Sequence, residues 1–232
     1  LRLLIAHPGV AVEVLTSETY PGRDIASVFP FLRGLISLRC TKMDVKEVAS
    51  ACDLIFAALP HTQSAKVVSA LVEEGKRVVD FSADFRLKDP AVYREWYSAE
   101  HPAPELLNRA AYGLPELNRE DIRKADIVAN PGCYPTGAIL ALAPAVKKGP
   151  VDLNGIIIDS KSGVSGAGRK VDLAYHFAEC NEGVRAYSVA VHRHTPEIEQ
   201  EVSRLAGRQL QVVFTPHLIP MTRGILSTVY FS

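Results

Sequence analysis

Three short apolar runs, Asp53–Leu59, Arg77–Phe81 and Ile127–Ala129, each stop at a polar or proline-containing tip, with helical stretches between and after them. Gln63–Glu74 puts Ala65, Val68, Leu71 and Val72 on one helical face, and Gly75 ends it. A helix is also expected from Pro135 to about Val146, and Ala11–Thr16 reads as a further strand. Strands alternating with helices in this way predict an α/β fold with a doubly wound parallel sheet. Ligands of such sheets sit beyond the carboxyl ends of the strands. The tips Thr16-Ser17, Leu59-Pro60-His61, Ser82-Ala83-Asp84 and Asn130-Pro131-Gly132-Cys133 are therefore expected to line one crevice.

The pattern changes after Gly149-Pro150. Gly155–Ser160, Arg185–Val191, Gln211–Thr215 and Ile225–Phe231 read as strands around one clear helix, Pro196–Leu205. This predicts a second, α+β domain with a mostly antiparallel sheet, and divides the chain into residues 1–147 and 148–232. Asp89–Arg123, with four prolines, reads as a long irregular loop pinned by Trp96, Tyr97 and Tyr112. The opening Leu1–Pro8 reads as the end of an amphipathic helix stopped by Pro8-Gly9, which suggests a fragment lacking its first strand.

Composition narrows the function. Basic and acidic residues balance at 26 each, which gives no support for nucleic-acid or membrane-surface binding. No apolar run reaches the ~18 residues of a membrane span. Cys40, Cys52, Cys133 and Cys180 form no C-x-x-C pair. They are too sparse for a disulfide framework and wrongly spaced for zinc, so reduced thiols in a cytoplasmic protein are expected, with no metal.

Four segments carry chemistry. In Asn130-Pro131-Gly132-Cys133-Tyr134-Pro135-Thr136-Gly137, Pro135 suits the first helical position and puts Cys133 just before the helix, where unpaired N–H groups favour a thiolate. Such a thiolate attacks acyl carbons; a small buried hydrophobe is the alternative. In His192-Arg193-His194-Thr195-Pro196-Glu197, strand alternation places both histidines on one face, and Thr195 caps the helix opened by Pro196. Either imidazole could serve Cys133 as acid or base, or merely make a hydrogen bond. Ser162–Lys170, rich in glycine and hydroxyls, could cradle an anion or be a flexible connection; it is not an NTPase loop. Arg86 and Arg223 lie at segment ends suited to binding phosphate or carboxylate, where solvated arginines are also common.

The Cys133 segment resembles the active-site signature of the N-acetyl-gamma-glutamyl-phosphate reductase family, in the aspartate-semialdehyde dehydrogenase superfamily. The similarity extends through Asp80–Leu87, Tyr112–Glu116, Ser165–Arg169, His192–Gln200 and Pro220–Leu226, in family order over nearly the whole chain. The resemblance implies a Rossmann-like cofactor domain whose first strand and Gly-rich turn are missing here, and a substrate and dimerisation domain continuing past Ser232. It implies NADP(H) as cofactor, a small-molecule substrate and a homo-oligomer, dimer or tetramer. It further implies attack by Cys133 on an acyl phosphate, a thioester, and hydride reduction to a semialdehyde, a step of arginine biosynthesis. His192 would move the proton, with His194 in reserve or binding substrate. Arg86, Arg169 and Arg223 would hold substrate anions. Thr16, Ser17, Arg23, Pro60, Ser82, Ser165 and Gly166 would meet the cofactor, although Glu18 could instead favour NAD. Two alternatives stand beside this: a related reductase of carrier-linked aminoadipyl or glutamyl phosphate, and a non-catalytic interaction module.

Overall fold

The computed structural model describes residues 1–149, 151–169 and 171–231; the expectations touching Pro150, Lys170 and Ser232 lie outside these. The helices are α1 (Arg2–Ile5), α2 (Ile25–Val28), α3 (Val45–Ala51), α4 (Ser64–Glu73), α5 (Pro90–Tyr97), α6 (Pro115–Lys124), α7 (Cys133–Lys148), α8 (Phe177–Cys180) and α9 (Thr195–Ala206). The strands are β1 (Leu54–Ala57), β2 (Arg77–Asp80), β3 (Ala110–Tyr112), β4 (Ile127–Ala129), β5 (Ile156–Ser162), β6 (Arg185–Ala186), β7 (Val212–Leu218) and β8 (Ile225–Tyr230).

The first sheet is wholly parallel, in the order β1-β2-β4-β3. Its carboxyl ends bring the Asp80–Arg86 and Asn130–Cys133 tips together: the Asn130 N–H donates to the Asp80 carbonyl at 2.8 Å. Val78 and Ile127 of the sheet pack on Val68 and Leu71 of α4, the apolar stripe legible in the sequence. The register of β3 on β4 requires a residue without a side chain next to it. A Cβ on Gly113 would lie 2.9 Å from the Ala129 carbonyl oxygen.

The second sheet has the order β6-β7-β5-β8. Two of its pairings are antiparallel, but the central β5–β7 pair is parallel, so the sheet is mixed. The crossover through α9 returns the chain in the same direction, which is the connection a parallel pair needs. One face packs Ile156, Ile158 and Phe214 on Ile139 and Leu142 of α7 and on Ile198 and Val202 of α9. Thus α7 starts at the tip of the first sheet and runs into the second core.

Several expectations need correction. Ala11–Thr16 is no strand: within it, only Thr16 is bridged, to Thr41. The run Arg185–Val191 keeps only Arg185–Ala186 as strand, because Ser188 and Ala190 turn to φ 46° and 61°, which no strand residue adopts. Asp89–Arg123 is no irregular loop: it holds α5, β3 and α6, and Tyr97 and Tyr112 are buried. Asp89 caps α5 by accepting the Ala91 N–H at 2.7 Å, with Pro90 behind it. Finally α7 begins at Cys133, not Pro135, and α9 begins at Thr195, whose hydroxyl makes no capping bond.

Candidate active site

Cys133 is the first residue of α7, with Gly132 as its N-cap. The turn before it is held from two sides. Arg86 donates from Nε to the Asn130 carbonyl at 2.8 Å and from Nη2 to the Phe81 carbonyl at 2.9 Å. Glu197 of α9 accepts the Gly132 N–H at 2.8 Å and the Tyr112 hydroxyl at 2.8 Å on the same oxygen. Its other oxygen faces Arg86 Nη1 at 3.4 Å. Glu197 is 1% exposed and Arg86 5%. Burial pushes the Glu197 carboxyl up; the Arg86 charge and the two donors pull it back. With three donors converging on two oxygens, the ionised form fits.

Tyr134, the next residue, is 2% exposed and forms an aromatic post. Its ring meets His192 edge-on at 5.6 Å, His194 at 5.9 Å and Phe214 at 5.3 Å, and its hydroxyl bonds that of Tyr187 at 2.8 Å. The two imidazoles lie 4.7 Å apart, adjacent as expected, although no strand carries them. His194 lies against Gly132: a Cβ there would come within 2.6 Å of His194 Nε2. Glycine is thus what lets an imidazole lie beside the residue preceding Cys133.

The electrostatics depart from the sequence expectation. Crowding around the sulfur pushes the Cys133 thiol up, and the N–H groups of Tyr134 and Cys133 and the Arg86 charge only partly offset it. The residue itself is open to solvent. Burial, with help from Arg193, takes His192 down to about 4. Burial, with His192 and Arg86, takes His194 down to about 2. Both rings are neutral, and His194 Nδ1 is buried without a hydrogen-bond partner. His192 Nδ1 accepts the His194 backbone N–H at 3.1 Å, so its proton is on Nε2.

Other expected site residues are spread more widely. Arg86 is not at an open rim; it lies beneath the turn. Ser82 is 1% exposed and faces inward, donating to Asp80 at 2.6 Å, because the neighbouring buried carboxylate needs donors. Arg169 and Arg223 are exposed, the former 4.9 Å over the Phe29 ring. The Ser165 N–H is tied to the Thr222 carbonyl, which sets the Gly163–Gly166 turn beside the Arg223 loop. Thr16, Arg23 and Pro60 are exposed, and the Ser17 hydroxyl accepts the N–H groups of Thr19 and Tyr20. Glu18 is drawn to the Met43 N–H at 3.2 Å. Among the described residues no group of three or more His, Cys, Asp or Glu side chains stands ready for a metal, and no helix is long and apolar enough to cross a membrane. The sequence reading missed Glu197 and Tyr112. Its available signal was Glu197 and Glu201 standing four apart beside Ile198 and Val202, two acids within an apolar helical stripe.

Comparison with known proteins places the chain in a family. Residues 1–125 match the family model described as semialdehyde dehydrogenase, NAD binding domain, and residues 133–232 the one described as semialdehyde dehydrogenase, dimerisation domain. The N-acetyl-gamma-glutamyl-phosphate reductase of Desulforudis audaxviator is 54% identical over 230 residues, 99% of this chain and 66% of the relative. That of Desulforamulus reducens is 52% identical over 232 residues, 100% of this chain and 67% of the relative. The chain thus spans about two thirds of the length of the curated relatives it matches. Among solved structures, aspartate semialdehyde dehydrogenase II of Vibrio cholerae, complexed with ASA, aligns with a TM-score of 0.70 at 17% identity, covering 99% of this chain and 68% of that one. The Candida albicans aspartate semialdehyde dehydrogenase with NADP aligns at 0.66 and 14% identity, covering 99% and 66%. These last two likenesses speak for the fold. On its sequence matches, the chain belongs to the semialdehyde dehydrogenase family, in the branch of the N-acetyl-gamma-glutamyl-phosphate reductases.

Proposed function

We propose that the protein containing this chain reduces N-acetyl-glutamyl 5-phosphate to the 5-semialdehyde with release of phosphate, using NADP(H) and Cys133 as nucleophile. The observation that carries this reading is the packing of two neutral imidazoles around the Gly132-Cys133-Tyr134 turn. A protonated thiol attacks an acyl carbon only as its proton leaves, and a neutral imidazole is the acceptor for it. The two rings divide the work. His192 already carries its proton on Nε2 and has Nδ1 occupied, so it donates toward the carbonyl oxygen. His194, pressed on Gly132, is the better acceptor. This reverses the sequence expectation, in which His192 moved the proton and His194 stood in reserve. As the sulfur–carbon bond forms, the bond to the phosphate oxygen breaks and phosphate leaves.

Arg86 acts from beneath the turn, where its charge favours the developing thiolate, rather than from an open phosphate site. Arg169 and Arg223 are the candidates to meet the phosphate and carboxylate of the substrate. NADP(H), when bound, supplies hydride chemistry. The residues to hold it are Thr16, Ser17, Arg23, Pro60, Ser165 and Gly166. The diversion of Glu18 to the Met43 amide removes the acid that would favour NAD, which fits a 2′-phosphate beside Ser17 and Arg23. Of the expected cofactor contacts, Ser82 is better placed to support the tip than to touch a ligand.

The division into a cofactor unit and a substrate unit runs through α7, whose first turn carries the nucleophile. For the homo-oligomer, the outer face of the second sheet is the candidate surface. There Ile157, Val213, Leu226 and Tyr230 are 45%, 59%, 64% and 52% exposed. A large exposed apolar patch of this kind marks an interface. The neutral charge balance favours a free over a carrier-linked substrate, and cytoplasmic location follows from the biosynthetic reading.

The test is turnover by the full-length protein, assayed as NADP-dependent, phosphate-dependent oxidation of the semialdehyde. Cys133→Ser is expected to lose on the order of a thousand-fold or more in kcat. Retained turnover in that variant, or no reaction with the acyl phosphate, rejects the assignment.

A further inference from the structure

Between the two site histidines stands Arg193, whose side chain reaches across to the first unit. Its guanidinium carbon lies 5.2 Å from the centre of the Tyr97 ring, within cation–π range. Tyr97 closes α5 and is 7% exposed. Its ring is fixed from below: it stacks on Tyr93 at 4.9 Å and 17°. The Tyr93 hydroxyl donates to Asp84 at 2.9 Å, and the same carboxylate accepts the Thr62 and Ala65 N–H groups at 2.7 and 2.9 Å. His61 meets the Tyr97 ring edge-on at 5.9 Å, with its Nδ1 held by the Ala83 N–H. An aromatic plinth tied to the ends of β1 and β2 therefore stands under Arg193.

The turn it supports has little pairing of its own. Strand β6 stops at Ala186, and Ser188 and Ala190 break the extended run before His192. Yet the imidazoles of this turn must stay within contact of Gly132 and Tyr134. We propose that Arg193 and Tyr97 form a positioning pair that anchors the histidine turn to the first unit and holds His192 and His194 against the Cys133 turn. Neither residue touches the reacting atoms; both act through the imidazoles. The proposal rests on the reading of those imidazoles as the proton-transfer groups, and it accounts for Asp84 and Tyr97, to which that reading gives no part.

The test uses the full-length protein with Arg193→Met, Arg193→Lys, Tyr97→Leu, Tyr97→Phe and the double variant Arg193→Met/Tyr97→Leu. Arg193→Met and Tyr97→Leu should each lower kcat roughly 5- to 30-fold, the range a stacked cation supports, while KM for NADP(H) stays within about two-fold. The double variant should fall no further than the worse single one, whereas Arg193→Lys and Tyr97→Phe, which keep the cation and the ring, should retain most of the rate. Because Arg193 is exposed, its Met variant decides the matter even where Tyr97→Leu folds poorly. Effects that multiply in the double variant, a loss confined to KM, or a Tyr97→Phe variant as slow as Tyr97→Leu overturn the pair. Alkylation of Cys133 by iodoacetamide gives a readout independent of turnover. Arg193→Met should slow it several-fold as the proton-accepting imidazoles leave the sulfur, and an unchanged rate counts against the anchor. A wild-type protein inert toward the acyl phosphate would instead reject the catalytic reading and leave the alkylation result to judge the pair.

Discussion

Replacing Glu197 with Ala tests whether the Cys133 turn is held by one buried carboxylate. The change removes the partner of Arg86 at 3.4 Å and leaves the Tyr112 hydroxyl and Gly132 N–H, each 2.8 Å from Glu197, without their acceptor. Breaking one side of a buried ion pair costs about 3–5 kcal/mol, and an orphaned buried donor about 1–3. These overlap, since relaxation or water would serve several groups at once, so about 4 kcal/mol is expected for the whole change. At roughly 2–4 °C per kcal/mol for a domain of this size, the melting temperature should fall by about 8–16 °C. The assay is urea and thermal unfolding of the full-length protein, followed by two probes to establish a single transition. Glu197→Gln, which keeps an acceptor for Gly132 and Tyr112 but sets an amide against Arg86, should lose about half as much. The paired Arg86→Met/Glu197→Met change should be milder than Glu197→Ala, because it leaves no unpaired buried charge. A loss below about 1 kcal/mol for Glu197→Ala, or a paired change costing the sum of its singles, would refute the network.

Other consequences follow from the same geometry. His192 and His194 resist protonation in the fold, at about 4 and about 2, while the unfolded chain takes those protons near 6.5. The native state thus binds fewer protons in that window, and stability should fall as pH drops from 6.5 toward 4, by about 2 kcal/mol per histidine at pH 5. His192→Gln should flatten this slope in urea titrations at several pH values; an unchanged slope contradicts buried neutral rings. Alkylation of Cys133 in the free protein should show a midpoint above the ~8.5 of an ordinary thiol, and a midpoint near 6 would mean that the helix start outweighs burial. Gly132→Ala forces a methyl group to within 2.6 Å of His194 Nε2 and should slow turnover about 100-fold with the fold intact, as judged by circular dichroism. Gly163→Ala instead meets backbone, the Met221 carbonyl at 2.8 Å and the Arg223 nitrogen at 2.9 Å, and should cost about 1–3 kcal/mol in unfolding measurements.

The alternation of apolar runs and helical stripes made the parallel sheet legible, because β2 and β4 and the face of α4 bury what their periodicity says they should, although Leu54 and Phe56 of β1 stay exposed. The segment motifs likewise brought Cys133, His192 and His194 to one place. What escaped were matters of three-dimensional surroundings. A lone cysteine at a helix start reads as a thiolate until the packing around it is known, and that packing reverses the sign of the shift. Arg86 reads as a rim residue because its neighbours in sequence do not reveal the Glu197 carboxylate arriving from more than a hundred residues away. The run before His192 looks like a strand because valines and alanines mask the positive φ angles at Ser188 and Ala190. The parallel β5–β7 pair was hidden because pairing direction depends on the path of α9, which periodicity does not encode.

Helix α7 starts in one unit and is embedded in the core of the other. Its first turn is therefore a seam, tied to the first unit by Arg86 and to the second by Glu197, so any shift between the units is felt at the sulfur itself.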